Sequence, residues 1–289
     1  MSGVKYKIQL IASMVVFGTM GLFVRNIPLP SEELALYRAA LAVLLLGVYL
    51  LVSKDKLQFP QIRKELPLLF LSGFAMGLNW ILLFQAYRYT TVSIATLSYY
   101  FAPVLVTIAS PILFREKLTV KQAVCFLMST AGVFLMTEAG GLGSAPGNAL
   151  GILFGLGAAV FYAAVVLLNK YIKNVTGIHR TFLQFLAALF FLFPYAAGTG
   201  GFHLRELDLF GWGNLLVVGL VHTGLTYCLY FSALKELKGQ EAAILSYIDP
   251  LVAVMVSVLA LGESISPRQI LGGSLILGFA VWNERKRES

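Results

Sequence analysis

Pro103 and Pro250 stand 147 positions apart, and the same offset pairs Ala86 with Ala233, Ala95 with Ala242, Tyr100 with Tyr247, Ser110 with Ser257, Glu116 with Glu263 and Gln122 with Gln269, without a gap. Each proline falls near the middle of an apolar stretch, residues 92–114 and 239–262. The chain reads as one unit written twice. If that unit crosses a membrane an odd number of times, its second copy must return upside down. Carriers built this way place broken helices and a binding site near the bilayer midplane.

Composition puts the unit in lipid. Of the 289 residues, 58% are hydrophobic and only 12% are charged, against about 25% charged in soluble domains. The mean hydropathy is +0.80. The apolar residues fall in blocks near the ~20 residues that span a bilayer. Ten spans are expected at about 8–26, 33–53, 66–88, 92–114, 119–138, 149–170, 178–198, 211–234, 239–262 and 266–284. The first is read as a retained span, because its apolar run is too long for a signal h-region and no A-x-A-like site follows it. The soft segment 140–148 (GGLGSAPGN) is the seam between a first repeat, 1–139, and a second, 149–289. The fold class expected is all-α integral membrane: ten transmembrane helices as two inverted five-helix repeats.

The net charge of +8 is spread through short loops and forms no basic face, so it predicts topology and not nucleic-acid binding. With the N-terminus inside, seventeen of the 22 Lys and Arg lie on the cytoplasmic side, four lie opposite, and Arg38 lies within a span. Both termini are therefore expected in the cytoplasm. A weaker offset of 145 relates Phe17-Gly18 to Tyr162-Ala163 and Arg25 to Lys170. Cys125 and Cys228 both fall inside spans and form no metal-ligand spacing, so packed thiols are expected in place of a disulfide framework. No cofactor motif is present.

A mid-helix Pro followed about thirteen residues later by Glu, then a small or hydroxyl residue, Gln and a Gly-rich helix occurs twice. The first copy is Pro103, Glu116, Leu118-Thr119, Gln122 and Gly132; the second is Pro250, Gly262-Glu263, Ile265-Ser266, Gln269 and Gly272-Gly273. With Asp249-Pro250, this pattern resembles EamA-type members of the drug/metabolite transporter superfamily over the whole chain. Where the family's first helix often carries Trp-Gly, this chain has Phe17-Gly18. The resemblance implies transport of a small metabolite, often export, and does not name the cargo.

Physically, each proline removes an N–H and frees a carbonyl one turn back, at Tyr99 and Ser246, which hydrocarbon does not tolerate unless protein or a wet cavity faces it. Pro103 and Pro250 are thus candidate hinges, with static kinks for packing as the other reading. Asn79, Trp80, Tyr99, Tyr100, Tyr162, Tyr227 and Tyr247 lie too deep for an interfacial belt and are candidate substrate contacts, the alternative being aromatic core packing. Asp249 either binds a substrate ammonium, carries a coupling proton or caps an N–H at the break. Arg38 either snorkels outward or attracts an anionic group. His222 is expected to pack through a hydrogen bond, and Glu241 to sit at a positive helix end. Gly73-x-x-x-Gly77 and Gly151-x-x-x-Gly155 mark close helix contacts, and Thr119 and Ser266 can cap the helices that follow. No HExxH or GxSxG motif occurs.

The function expected is a secondary transporter, an exporter working by alternating access, in the cell inner (plasma) membrane. Its partners are a small-molecule substrate and the lipid bilayer, as a monomer or homodimer. A channel or a non-transporting signalling subunit is the alternative.

Overall fold

The computed structural model describes residues 2–24, 26–53, 59–89, 98–115, 117–136, 148–175, 177–199, 202–261 and 267–284. Arg25, Ala95, Glu116, Gly262, Glu263, Ile265, Ser266 and nearly all of the 140–148 seam lie outside them, as does the side chain of Gln269. None of the described residues is in a strand.

Helices α1 (Ser2–Gly18) and α2 (Met20–Val24) are separated by Thr19. They are followed by α3 (Ser31–Ser53), α4 (Phe59–Tyr89), α5 (Ala102–Phe114) and α6 (Val120–Met136). The second half repeats the series with α7 (Asn148–Tyr171), α8 (Gly177–Thr199), and α9 (Leu209–Leu216) running through the π-helical segment Val217–Leu225 into α10 (Thr226–Glu236). It ends with α11 (Gly239–Ser246), α12 (Ile248–Leu261) and α13 (Pro267–Glu284). Among the described residues six stretches are long and apolar enough to cross a bilayer, including Val4–Val24, Ile62–Ala86 and Leu209–Glu236, and shorter apolar helices accompany them. The protein is a multi-pass membrane protein. Two differences from the expected spans matter. The first span is interrupted at Thr19, and the eighth carries a π-helical insertion; neither contains a proline to announce it.

Helix pairing follows the duplication. α4 packs on α7 as α10 packs on α1, α4 on α8 as the π-helical segment on α3, and α5 on α7 as α12 on α1. The pairs α3–α8 and α6–α13 join counterparts directly. Exchanging the halves maps each of these contacts onto another, the signature of a twofold relation. Glycines set the closest approaches. A Cβ on Gly132 would lie 2.6 Å from the Gly272 carbonyl, and one on Gly77 3.1 Å from Phe191. Gly73 abuts the Gln184 carbonyl on α8. The start of α6 is a capping box: Thr119 N–H donates to Gln122 Oε1 at 3.1 Å, and Gln122 N–H donates to Thr119 Oγ1 at 3.2 Å.

Buried charges tie the ends of the bundle. At one end the Glu65 carboxylate accepts the backbone N–H groups of Lys173, Asn174 and Val175 at 2.7–2.8 Å. Beside it Arg180, 1% exposed, donates to the carbonyls of Val175, Ile172 and Asn169, closing the exposed carbonyl end of α7. Lys7 and Glu241 pair there at 2.7 Å. At the other end Glu33 accepts the backbone N–H of His203 at 2.8 Å and its Nδ1–H, fixing the α8–α9 loop to α3. Both cysteines are free, as expected.

Removing the Glu65 carboxylate strands three backbone donors, at about 1–3 kcal/mol for each that stays buried. Glu65→Ala should therefore lower the melting temperature of the detergent-purified protein by several degrees, and an unchanged melt would refute the cap. The Glu33 hydrogen bond raises the pKa of His203 above the ordinary imidazole value. A folded-state pKa raised above the unfolded one stabilises fully below the free value of about 6.5, and the gain is lost as pH climbs through the folded value. Wild-type melting temperature should thus fall relative to His203→Gln as pH rises from about 6 toward 9. Parallel curves would remove the ionic part of this clamp.

Candidate functional site

The interruption preceding Pro250 is a single residue. α11 ends at Ser246, Tyr247 makes a tight turn whose N–H donates to Ile244 O at 3.2 Å, and α12 starts at Ile248 with Pro250 in its first turn. Pro103 likewise sits in the first turn of α5, after a turn at residues 100–101. The two prolines therefore occupy helix starts, where the N–H they lack would have no partner within their own helix. Around them the chain closes a cavity of about 20 Å³, lined by Tyr99, Tyr100, Pro103, Tyr162, Ser246 and Asp249 among others. A second cavity of about 10 Å³ shares Pro103, Tyr162 and Ser246 with it and reaches Tyr230. Each has room for about one water.

The cavity wall is a relay of hydroxyls. Tyr230 and Tyr162 are 2.5 Å apart, Tyr162 bonds Ser246, and Ser246 Oγ donates back to Ala242 O at 2.8 Å. Tyr100 donates to the Asp249 carboxylate, which is half-buried. Tyr99 stacks obliquely on both Tyr100 and Tyr162, at 5.8 and 5.5 Å.

The candidate residues separate into three groups. Tyr99, Tyr100, Tyr162, Asp249 and Pro103 meet at the cavity. Trp80 and Tyr227 form the next layer, where Trp80 Nε1 donates to Tyr227 OH at 3.2 Å and Phe17 meets Tyr227 edge-on at 5.0 Å. Trp80 and Tyr227 are repeat counterparts, so each touches its own image. Asn79 is spent on packing, donating to Ala158 O at 2.7 Å, and its counterpart Thr226 accepts on its own carbonyl from Ser13, the counterpart of Ala158, at 3.4 Å. Tyr247 points away from the cavity: it is fully buried beside Phe126 and donates to Thr130 Oγ1 at 2.7 Å. Pro250 is buried behind Asp249.

Several neighbours of the cavity escape sequence reasoning. Arg38 does not snorkel. It is 2% exposed, with its guanidinium 4.4 Å from the centre of the Trp80 ring and Nε donating to Thr223 Oγ1 at 3.0 Å. Glu33, five residues earlier and the obvious ionic partner, is engaged by His203 instead, so nothing in the local pattern announces the inward turn. His222 packs as expected, with Nε2 2.9 Å from Thr19 Oγ1 and the ring beside Phe23, but it does so from a π-helical turn. Gly18 packs so closely on the break that a Cβ there would lie 2.7 Å from Asp249 O. Two larger concavities, about 720 Å³ each, lie on the outer flank; one is a groove between α3 and α8 lined by Tyr37, Phe190, Phe193 and other apolar side chains.

A family model described as the EamA-like transporter family matches the chain twice, over residues 5–138 and 149–283. The uncharacterized transporter YxxF of Bacillus subtilis (strain 168) is 32% identical over 268 residues, covering 92% of this chain and 85% of its own. An uncharacterized transporter of Archaeoglobus fulgidus is 28% identical over 281 residues, covering 95% of each. A protein crystal structure superposes with a TM-score of 0.82 at 18% identity over 96% of both chains, a likeness of fold. Two matches in series, the two-fold helix pairing and the doubled proline pattern agree, and the chain belongs to the EamA-like transporter family.

Proposed function

We propose that this membrane transporter is a secondary carrier that exports a small metabolite across the plasma membrane (the inner membrane of a bacterial cell) by alternating access. In this reading ten spans form two inverted quintets, residues 1–139 and 149–289, with both termini in the cytoplasm. The solute chamber is the tyrosine-lined space around Asp249, closed here on a cavity of about 20 Å³. The observation that carries the reading is Asp249 itself: a carboxylate at a one-residue helix break, facing three tyrosines and a small void in the centre of the bundle. A charge at such a depth costs at least about 2.5–3.5 kcal/mol on insertion scales, which favours a working role. Pro103 and Pro250 act as hinges, and Tyr99, Tyr100 and Tyr162 face the solute. Trp80, Tyr227 and Asn79 hold the layer behind them, and Tyr247 anchors the break to α6.

Counterflow in proteoliposomes, over a panel of amino acids, nucleobases and cationic drugs, tests the carrier. Saturable exchange is expected, and vesicles that move no solute in either direction would defeat the reading. Asp249→Asn should cut the exchange rate at least about tenfold, roughly 1.4 kcal/mol of barrier. Unchanged rate and unchanged pH dependence would remove Asp249 from the mechanism. Pro250→Ala restores an N–H for the Ser246 carbonyl and lets α11 and α12 merge. It should raise the melting temperature, by the ~0.5–1.5 kcal/mol of one hydrogen bond, while slowing exchange; a faster carrier would contradict the hinge.

A further inference from the structure

We infer that Arg38 is the anchor for a carboxylate of the transported solute, which makes the cargo a monoanionic or zwitterionic acid with an apolar body; the cargo part of this statement rests on the carrier reading above. The argument begins with an unmet donor. Of the two buried arginines among the described residues, Arg180 spends its guanidinium on three carbonyls and the Asn169 side chain. Arg38 is as deeply buried, in the middle of a helix, and is not so spent. Nε goes to Thr223, Nη1 finds only the Met20 sulfur at 3.7 Å, and Nη2 has no partner at all. No ion pair reaches it among the described residues, since Glu33 is held by His203. A buried cation left this way carries a standing desolvation cost that a bound anion would remove.

Neighbouring structure holds the group ready. Thr223 donates its own hydroxyl proton to Val218 O, five residues back at 2.7 Å, a spacing that the π-helical turn provides. Its oxygen is thereby turned to accept from Nε, which fixes one edge of the guanidinium. The Trp80 ring covers one face at 4.4 Å. What remains is the Nη edge, whose parallel N–H groups match the two oxygens of a carboxylate. The single uncompensated cation fits a monovalent group better than a doubly charged phosphate. Tyr99, which lines the cavity beside Asp249, and Tyr227 both lie within electrostatic range of Arg38, so the arginine lies close behind the aromatic wall of that chamber.

Trp80 reports on this site directly. The protein has three tryptophans, so the Trp212→Phe/Trp282→Phe variant keeps Trp80 alone. Purified in detergent, it would be titrated with butyrate and cyclohexanecarboxylate, and in parallel with butyramide and cyclohexanecarboxamide. Saturable change in Trp80 emission with the acids and not with the amides is expected. Arg38→Gln should weaken that response at least about tenfold, and Arg38→Lys should retain part of it. The acid-against-amide comparison needs no change at Arg38, so a misfolded Arg38→Gln leaves the test intact. Equal responses to acid and amide, a response that survives Arg38→Gln, or none at about 50 mM probe, enough to saturate a site of about 5 mM, would overturn the assignment. The two readings fail separately. Proteoliposomes that exchange amines in an Asp249-dependent way and ignore acids, with no acid-specific Trp80 signal, overturn the anion anchor and leave a carrier. Proteoliposomes that move nothing defeat the carrier, while an acid-specific signal still upholds the site.

Discussion

A backbone carbonyl that loses its helical partner inside a bilayer has no water to replace it, so each interrupted helix in a membrane protein must bring its own donor or be enclosed by protein. This chain interrupts its helices at Thr19, at Tyr247 and along Val217–Leu225, and at each place a side-chain hydroxyl donates to a carbonyl of the preceding turn, at Val16 and Val221 beside a backbone N–H that donates there as well. Thr19 Oγ1 donates to Val16 O at 2.7 Å, Ser246 Oγ to Ala242 O at 2.8 Å, and Thr223 and Thr226 to the carbonyls five residues before them at 2.7 and 2.8 Å. The interruptions are also gathered together. Thr19 meets His222 of the π-helical segment, and Gly18 lies against the Asp249 carbonyl. The need to shield broken backbone from lipid thus draws the irregular parts of three spans into one central region.

The twofold relation decides what fills that region. Counterpart helices α3 and α8, and α6 and α13, touch each other, and α4 and α10 bring counterpart side chains together. Trp80 against Tyr227 is one such meeting, and the paired bonds Asn79–Ala158 and Ser13–Thr226 are another on either side of it. Duplication leaves the chemistry at these points free to diverge while the packing is kept. Where one copy has an indole the other has a phenol, and where one has an amide donating to a carbonyl the other has a hydroxyl doing so. An asymmetric solute can be gripped by a nearly symmetric frame for this reason.

Much of this was legible beforehand, and what was not shares a cause. Hydropathy and the 147-residue offset mark out the helices, because lipid demands long apolar stretches and duplication preserves their spacing. The proline breaks were readable because proline lacks an N–H, and the Thr119 cap because a hydroxyl at a helix start has one obvious use. The break at Thr19 and the π-helical turn were hidden: threonine and glycine are tolerated in ordinary helices, and only tertiary packing tells which ones bend. Rotation about the helix axis was equally hidden. Asn79 and Tyr247 lie at the right depth, yet one is consumed by α7 and the other by α6. For Arg38 the sequence leaves two directions open, since a long side chain near the end of a span ordinarily reaches for water, and packing alone shows the inward turn.

That inward turn separates two kinds of buried charge. Glu65 and Arg180 each meet a set of backbone groups that would otherwise stand unpaired at a helix end, so their burial repairs the fold and closes on itself. Arg38 and Asp249 repair nothing of that kind. Arg38 is held by the Thr223 hydroxyl and leaves Nη2 without a partner, while Asp249 accepts from Tyr100 at the edge of the tyrosine-lined cavity. Opposite charges so placed would gain most by meeting each other, and among the described residues no ion pair joins them. Lone charges in such a medium carry a free-energy cost that a partner of opposite charge would recover.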